Sequence, residues 1–468
     1  MKTPNMKEAA KRTKNKVETH NYELADNLKN IGTNKKYYIK TYGCQMNVHN
    51  TENIKAILEN MSFTESKTQT EADLIIANTC SIRENAHNKV FGFLGRLKGM
   101  KNKKPELITV LCGCMAQEET VVETIMNKYK WLDLVFGTHN IYRLPVLLNN
   151  VMIKKEQEIE VLSIEGDIIE NIPVKRDSKY KAWINVMLGC DKFCTYCIVP
   201  YVRGKQRSRT PENILKEVNG LIENGYKEVS LLGQNVNAYG KDLDINYTMS
   251  NLLEDVAKTG ITRVRFMTSH PWDFDDSVIE VIKKYDNIMP AIHLPVQSGS
   301  NNILKKMNRR YTKEVYLKLV EKLKTNIPNL SLTTDIIVGF PGETEEDYQC
   351  TLDLVHKCKY DTAFTFVFSP REGTPAAKLS DDISAEEKNK RLYQLNEIIN
   401  NYANENNQKY KNKTVKVLIE GKGEKGNLMG YTETMKLVNV DGDESAIGHI
   451  VDVKIEEVKT WSLDGKIV

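Results

Sequence analysis

The stretch Gly189-Cys190-Asp191-Lys192-Phe193-Cys194-Thr195-Tyr196-Cys197 places three cysteines at Cx3Cx2C spacing, directly after a strand-like run from Ala182 to Leu188. Three thiolates on one short loop hold three irons of a 4Fe–4S cube and leave the fourth iron without a protein ligand. An open iron is a place for a small molecule to bind and receive an electron. Zinc and three buried cysteines are the competing readings of the spacing. Zinc motifs usually join two CxxC pairs, or one CxxC and a pair of histidines. Here no second CxxC occurs and no histidine follows within twenty residues.

The loop opens a βα series. Strands are expected near Trp183–Leu188, Glu228–Leu232, Arg263–Met267, Ala291–Pro295, Ser331–Val338 and Ala363–Phe368, with helices such as Pro211–Asn224 and Lys313–Thr325 between them. Six parallel strands with intervening helices predict a partial (β/α)6 barrel, whose site lies at the carboxyl ends of the strands. Those ends are polar: Gly233-Gln234-Asn235-Val236-Asn237, Thr268-Ser269-His270-Pro271, His293 through Ser300, and Asp335 through Thr344. Four such ends on one rim, beside a candidate cluster loop, read as a ligand site. The run Arg203-Gly204-Lys205-Gln206-Arg207-Ser208-Arg209 suits a phosphate or carboxylate group; a solvated basic loop is the plainer alternative.

Upstream, an earlier α/β pattern runs from Lys36. Strands are expected at Tyr37–Thr41, Ala72–Asn78, Leu107–Leu111 and Leu132–Phe136, and helices at Asn47–Asn60, Ile82–Met100, Glu118–Lys130 and Ile141–Asn149. This alternation predicts an open parallel sheet covered on both faces. Cys44, Cys80 and Cys114 each follow one of its strands, at the carboxyl edge where such sheets build their sites. Chain geometry therefore allows a second three-cysteine cluster. Three unrelated buried cysteines remain the alternative, because free cysteine is among the most buried residue types. Cys112 reads as a strand residue.

The remaining segments frame these two. Residues 1–34 are lysine-rich and read as a disordered basic tail with a helical piece. The N-terminal domain is expected over 35–152, a linker carrying a short strand or two over 153–178 and the barrel domain over 179–408. After a long helix, about Ser384 to Tyr410, short strands at Thr414–Ile419, Met429–Thr432, Lys436–Val440 and Ile447–Glu457 alternate with glycine turns such as Lys422-Gly423-Glu424-Lys425-Gly426. They predict a small antiparallel barrel over 411–468, an architecture that often binds oligonucleotides. The chain of 468 residues is 40% hydrophobic and 27% charged, an ordinary soluble composition. Its nine cysteines, an odd number scattered along the chain, argue against a disulfide framework and for a reducing cytoplasm. No apolar run approaches the ~20 residues of a membrane helix. A net charge of +4 confines any nucleic-acid surface to a local patch.

Seven motifs carry a family resemblance: Thr41–Asn47 (TYGCQMN), Asn78–Glu84 (NTCSIRE), Gly113–Gln117 (GCMAQ), Gly189–Arg209 (GCDKFCTYCIVPYVRGKQRSR), Leu231–Gly240 (LLGQNVNAYG), His293–Ser300 (HLPVQSGS) and Asp335–Thr344 (DIIVGFPGET). The cluster loop, with Tyr196 before its last cysteine, resembles that of radical S-adenosylmethionine (SAM) enzymes. From about Lys36 onward the chain resembles the MiaB-type methylthiotransferases. The resemblance implies an N-terminal methylthiotransferase domain, a radical SAM domain and a C-terminal TRAM barrel. It further implies two 4Fe–4S clusters, one on Cys190, Cys194 and Cys197 that reduces SAM to a 5′-deoxyadenosyl radical, and an auxiliary one on Cys44, Cys80 and Cys114. The implied reaction adds a methylthio group to carbon 2 of N(6)-isopentenyladenosine at tRNA position 37, with one SAM as methyl donor and one as radical source. Carbon 2 of adenine carries an inert C–H that acid–base or nucleophilic side chains cannot functionalise, so radical chemistry suits it. Tyr196, Gly233, Gln234, Ser269, Gln297, Ser298 and Asp335 are the expected SAM contacts. The usual Gly-Gly-Glu element after the second barrel strand is replaced by Leu232-Gly233-Gln234-Asn235. The expected partners are the tRNA anticodon stem-loop and an external electron donor, for a cytoplasmic monomer. Sister enzymes acting on threonylcarbamoyl-adenosine or on a ribosomal aspartate are the alternative; NTCSIRE and GQNVNAYG favour the isopentenyl type.

Overall fold

The computed structural model describes residues 1–11, 17–81, 84–423 and 426–468. Arg12, Lys14 and Lys16 of the basic tail, Ile82 and Arg83 at the expected helix start, and Glu424 and Lys425 of the expected turn lie outside the described residues. The chain divides into two compact units: Met1–Asp177 with Met187–Phe193 and Cys197–Arg209, and Ser178–Val186 with Cys194–Tyr196 and Thr210–Val468.

In the first unit, a six-stranded sheet runs in the order Thr64–Glu65, Lys36–Thr41, Leu74–Thr79, Ile108–Gly113, Leu134–Phe136, Glu158–Glu160. Every neighbouring pair is parallel. Strand periodicity sends alternate residues to opposite faces. Ile75, Ala77, Leu111 and Val135 thus pack with Val90, Phe93, Leu94, Leu97, Val122 and Ile125 from helices Glu84–Lys103 and Glu119–Lys128. Leu74, Ile76, Val110, Cys112 and Leu134 pack on the other face with Ile54, Ile57, Leu58, Leu144, Leu147 and Leu148 from helices Gln45–Asn60 and Leu144–Lys154.

The tail is more ordered than expected, with its helical piece at Met6–Lys11, and the linker carries the short strands expected of it, Glu158–Glu160 and Ile168–Glu170. Lys2 pairs in parallel with Glu160, Thr19–Asn21 pairs with Ile168–Glu170, and Leu28 is buried. Within 153–178, Glu158–Glu160 closes the sheet and buries Ile159 in its core. Glu160 is half of an ion pair with Arg143 at 2.6 Å, and strands of three residues carry too little alternation to show their limits in the sequence. The basic run after the cluster loop is also structural. Arg207 donates to the Gly166 carbonyl at 2.6 Å and Arg209 pairs with Glu170 at 2.6 Å.

In the second unit, six barrel strands form two parallel triplets, Arg263–Phe266 beside Glu228–Leu232 beside Lys181–Asn185, and Ala291–His293 beside Ser331–Val338 beside Thr362–Val367. A bridge between Val264 and Ile288 joins the triplets. Thr210 caps helix Pro211–Glu223 with its side chain on the Asn213 N–H, and proline stands at the first helical position, where no N–H is needed. The C-terminal segment closes a five-stranded barrel in the order Thr414–Lys422, Leu428–Thr432, Leu437–Asp441, Leu463–Ile467, Ile450–Val458. Leu463–Ile467 is the strand the sequence pattern conceals behind Asp464 and Gly465; it pairs parallel to Leu437–Asp441, and the other pairs are antiparallel.

Candidate functional site

Sheet register delivers the three N-terminal cysteines to one place. Thr41 is opposite Asn78, Asn78 opposite Cys112, and Thr79 opposite Gly113. Neighbouring strands run ~4.8 Å apart, so Cys80 and Cys114, each one residue beyond a paired position, leave the sheet side by side. Gly43 brings the Cys44 loop against them: its φ is +132°, and a Cβ there would stand 2.7 Å from the Cys80 Cβ. Only glycine tolerates both.

Asn47, three residues after Cys44, ties the loops together. Its amide nitrogen donates to the Tyr42 carbonyl at 3.0 Å and the Thr79 carbonyl at 2.7 Å. Its oxygen accepts from Arg203 Nη2 at 2.8 Å. Arg203 is buried, and its Nε reaches the Cys114 Sγ at 3.3 Å. Burial works against the guanidinium charge, but Cys114, Cys44 and Cys80 around it outweigh that and hold its pKa above the ordinary arginine value. Burial pushes the Cys114 thiol up, with Arg203 opposing. Cys112 differs: its side chain sits in the core with Leu134 and Phe136, and burial drives its pKa well up. Among the described residues no group of His, Cys, Asp or Glu forms a single-ion site; a cube needs none, because each thiolate meets a separate iron.

The Cx3Cx2C loop is held at both ends by backbone. Met187–Leu188 pairs with Arg207–Ser208, and the Cys190 N–H donates to the Gly204 carbonyl at 3.2 Å. Phe193, at φ +48°, packs edge-on to Tyr201 at 5.9 Å. In the second unit, Thr195 donates its N–H to the Met307 carbonyl at 3.1 Å, and Tyr196 packs with Ile303, Met307, Phe340 and Phe368. Arg309 is buried and donates to the Cys194 Sγ at 3.6 Å and to the Pro295 carbonyl at 2.6 Å.

The barrel rim carries the other expected residues. Gly233 and Gln234 follow the second strand, and Ser269 follows the third. Gln234 Oε1, Asn235 Oδ1, Asn237 Nδ2 and Ser269 Oγ are buried with no hydrogen-bond partner among the described residues. An orphaned buried polar atom costs on the order of 1–3 kcal/mol. Such a mixed set of acceptors and donors fits a ligand with both, as the amino-acid and adenosine parts of SAM have. Thr268 and Gln297 hold φ of +68° and +73°, left-handed values rare for such residues, which mark strain at the strand ends. Asp335 faces His293 Nε2 at 3.5 Å, and Gln297 is tied to that strand by its N–H on the Asp335 carbonyl at 2.9 Å. The Ser298 hydroxyl instead faces inward, 3.4 Å from that of Thr351 and accepting from the Ser300 N–H at 3.2 Å.

Asn47 and Arg309 were not singled out from the sequence, Asn235 and Asn237 were read only as part of the polar rim, and Arg203 only as part of a basic run suited to an anion or to solvent. Asn47 sits inside a quoted motif, so a signal was present. Arg309 follows a helix with nothing local to mark it.

A cysteine-edged parallel sheet, a partial barrel with an open polar rim and a small closed barrel together define a radical SAM enzyme of three-part build. Residues 184–355 match the radical SAM superfamily, 36–137 the uncharacterized protein family UPF0004 and 408–468 the TRAM domain. A Bacillus cytotoxicus protein named tRNA-2-methylthio-N(6)-dimethylallyladenosine synthase is 54% identical, covering 99% of this chain and 92% of that protein. Its namesakes from Oceanobacillus iheyensis and Halalkalibacterium halodurans are 54% and 53% identical, over 100% and 99% of this chain and 91% and 87% of their own lengths. The solved structure of the radical S-adenosylmethionine methyltransferase TsrM from Kitasatospora setae shares the fold, with TM-score 0.53 at 12% identity over 73% of this chain and 75% of that one. The chain belongs to the family of tRNA-2-methylthio-N(6)-dimethylallyladenosine synthases.

Proposed function

We propose that this enzyme installs a methylthio group on carbon 2 of N(6)-isopentenyladenosine at tRNA position 37, using two SAM molecules and two 4Fe–4S clusters. Cys190, Cys194 and Cys197 hold one cluster, and Cys44, Cys80 and Cys114 the other. The observation that carries this is the meeting of Cys44, Cys80 and Cys114 around Arg203 at aligned strand ends, a second three-thiol site that SAM cleavage alone does not need. When bound, the clusters supply the electron that cleaves SAM and a place to carry sulfur. The chain's own residues do the rest. Gln234, Asn235, Asn237 and Ser269 offer SAM hydrogen bonds that they lack without it. Asp335 accepts from the donors of the same ligand, steadied by His293. The enzyme works as a cytoplasmic monomer with an external electron donor; among the described residues no helix is long and apolar enough to cross a membrane. Nucleoside analysis of tRNA tests the reaction: a strain lacking the gene loses 2-methylthio-N(6)-isopentenyladenosine and regains it with this chain. Unchanged levels in the deletion strain remove the proposal.

Asp335→Ala is expected to raise the SAM concentration for half-maximal turnover about tenfold, the loss of one charged hydrogen bond of ~1.5 kcal/mol. Iron content stays at the wild-type value. Calorimetry with SAM checks it, and an unaltered affinity counts against the assignment.

The C-terminal barrel is the proposed tRNA-affinity element. Its removal would strip Arg263 of the Tyr431 and Lys416 carbonyls it bonds at 2.9 and 3.0 Å, so charge changes are the cleaner test. Lys416 and Lys454 are exposed on adjacent paired strands, with Thr414 opposite Lys454 and Lys416 opposite Asp452. Lys416→Glu with Lys454→Glu is expected to weaken tRNA binding about tenfold and flatten its salt dependence by roughly two phosphate contacts. SAM cleavage without tRNA stays at the wild-type rate. Equal affinity across a salt series rules the role out.

A further inference from the structure

Arg203 is a buried cation whose partners are all neutral groups or cysteine sulfur. It is 6% exposed. Its Nε meets Cys114 Sγ at 3.3 Å, its Nη2 meets Asn47 Oδ1 at 2.8 Å, and its Nη1 meets the Asn50 amide oxygen at 3.2 Å when that amide is turned to accept. Among the described residues no carboxylate pairs with it. A buried charge of this kind is unfavourable unless an anion compensates it. Among the described residues, the groups in contact with it or acting most strongly on its charge that can become anionic are the three cysteines.

We propose that Arg203 is the resident counter-cation of the three-cysteine site, holding Cys114 in position for iron and raising the reduction potential of the cluster bound there. The inference rests on the reading that Cys44, Cys80 and Cys114 hold a cube. A three-thiolate cube is already an anion, and it becomes more negative on taking up one electron. A fixed positive charge against its ligand sulfur favours the reduced form, and the low dielectric of a buried site magnifies the effect. Asn47 is what fixes the charge: it grips the guanidinium with its oxygen while its nitrogen holds the Tyr42 and Thr79 carbonyls. Arg203 is thus a positioning residue. It lies six residues beyond the last cysteine of the Cx3Cx2C loop, so the loop of one cluster site supplies the counter-charge of the other.

The test uses the full chain carrying Cys190→Ala, Cys194→Ala and Cys197→Ala, reconstituted anaerobically with iron and sulfide so that only the N-terminal cube remains. Its one-electron midpoint is read by dithionite titration with redox mediators and electron paramagnetic resonance. Adding Arg203→Gln is expected to shift the reduction equilibrium against the reduced cube at least tenfold, about 59 mV for one electron. Arg203→Lys, which keeps the charge, recovers at least half of that shift. Iron in all three stays near about four per chain. An Arg203→Gln protein with full iron and an unmoved midpoint overturns the inference. If Arg203→Gln cannot hold iron, the lysine variant decides: a retained cube near the parent midpoint supports the counter-cation role, and a lost one overturns it. If the parent triple variant itself binds no iron, the reading of the second cluster fails, and that failure is visible before Arg203 is touched.

Discussion

Single alanine replacements of Cys190, Cys194 or Cys197 are expected to abolish 5′-deoxyadenosine release and all methylthiolated product, whereas replacements of Cys44, Cys80 or Cys114 are expected to stop product but leave some SAM cleavage. The difference follows from the two roles. In the proposed mechanism electron delivery to SAM depends on the barrel-loop cysteines, and sulfur insertion needs both sets. Each replacement removes about four irons of about eight, one cube's worth. Cys112→Ala behaves differently, because its thiol packs among Leu134, Phe136 and Val110 and not beside Arg203. Iron and product stay near wild type, and the cost is a modest loss of stability from a small cavity. Cys350, on the helix Glu345–Cys358, and Cys358, buried at its end, follow Cys112. The measurement is iron, deoxyadenosine and methylthiolated nucleoside for each variant. A cube lost in Cys112→Ala and kept in Cys114→Ala would reverse the third ligand. Full iron in all three N-terminal variants would remove the second cluster.

Gly189→Ala is expected to cost the barrel-loop cluster without touching a ligand. Gly189 holds φ +76°, and a Cβ there would stand 2.6 Å from the Gly204 carbonyl oxygen and nearer still to that of Lys205. The conformation alone costs a non-glycine residue on the order of 1 kcal/mol. The larger penalty is the collision, which backbone cannot relieve by a rotamer change. The Lys205 segment must move, and with it the bond from the Cys190 N–H to the Gly204 carbonyl. Iron is expected to fall from about eight to about four per chain and deoxyadenosine release to vanish, with the N-terminal cube intact. Gly225→Ala is the control: its φ is +82°, but no atom lies within 4 Å of the new Cβ. It should lose stability and keep iron. Equal iron in wild type and Gly189→Ala would show that the loop tolerates the displacement.

Motifs and alternation were legible where a residue's meaning is local. The spacing of Cys190, Cys194 and Cys197 shows in any reading, because all three ligands lie on one loop. Strands Glu228–Leu232 and Ser331–Val338 were placed at their observed limits, since buried parallel strands read as continuous apolar or alternating runs. The closing strand Leu463–Ile467 was not legible, and within the linker only the presence of short strands was, not the limits of Glu158–Glu160, since each is short and charged. Sequence by itself determined the three-part α/β build, the family and hence the class of chemistry. Only the tertiary structure decided which cysteine of the Cys112 and Cys114 pair faces the site, that Arg203 turns inward to the thiols, and which rim atoms lack partners. Facing is set by strand parity and register, and a buried charge or an orphaned amide is defined by neighbours that the chain brings from a hundred residues away.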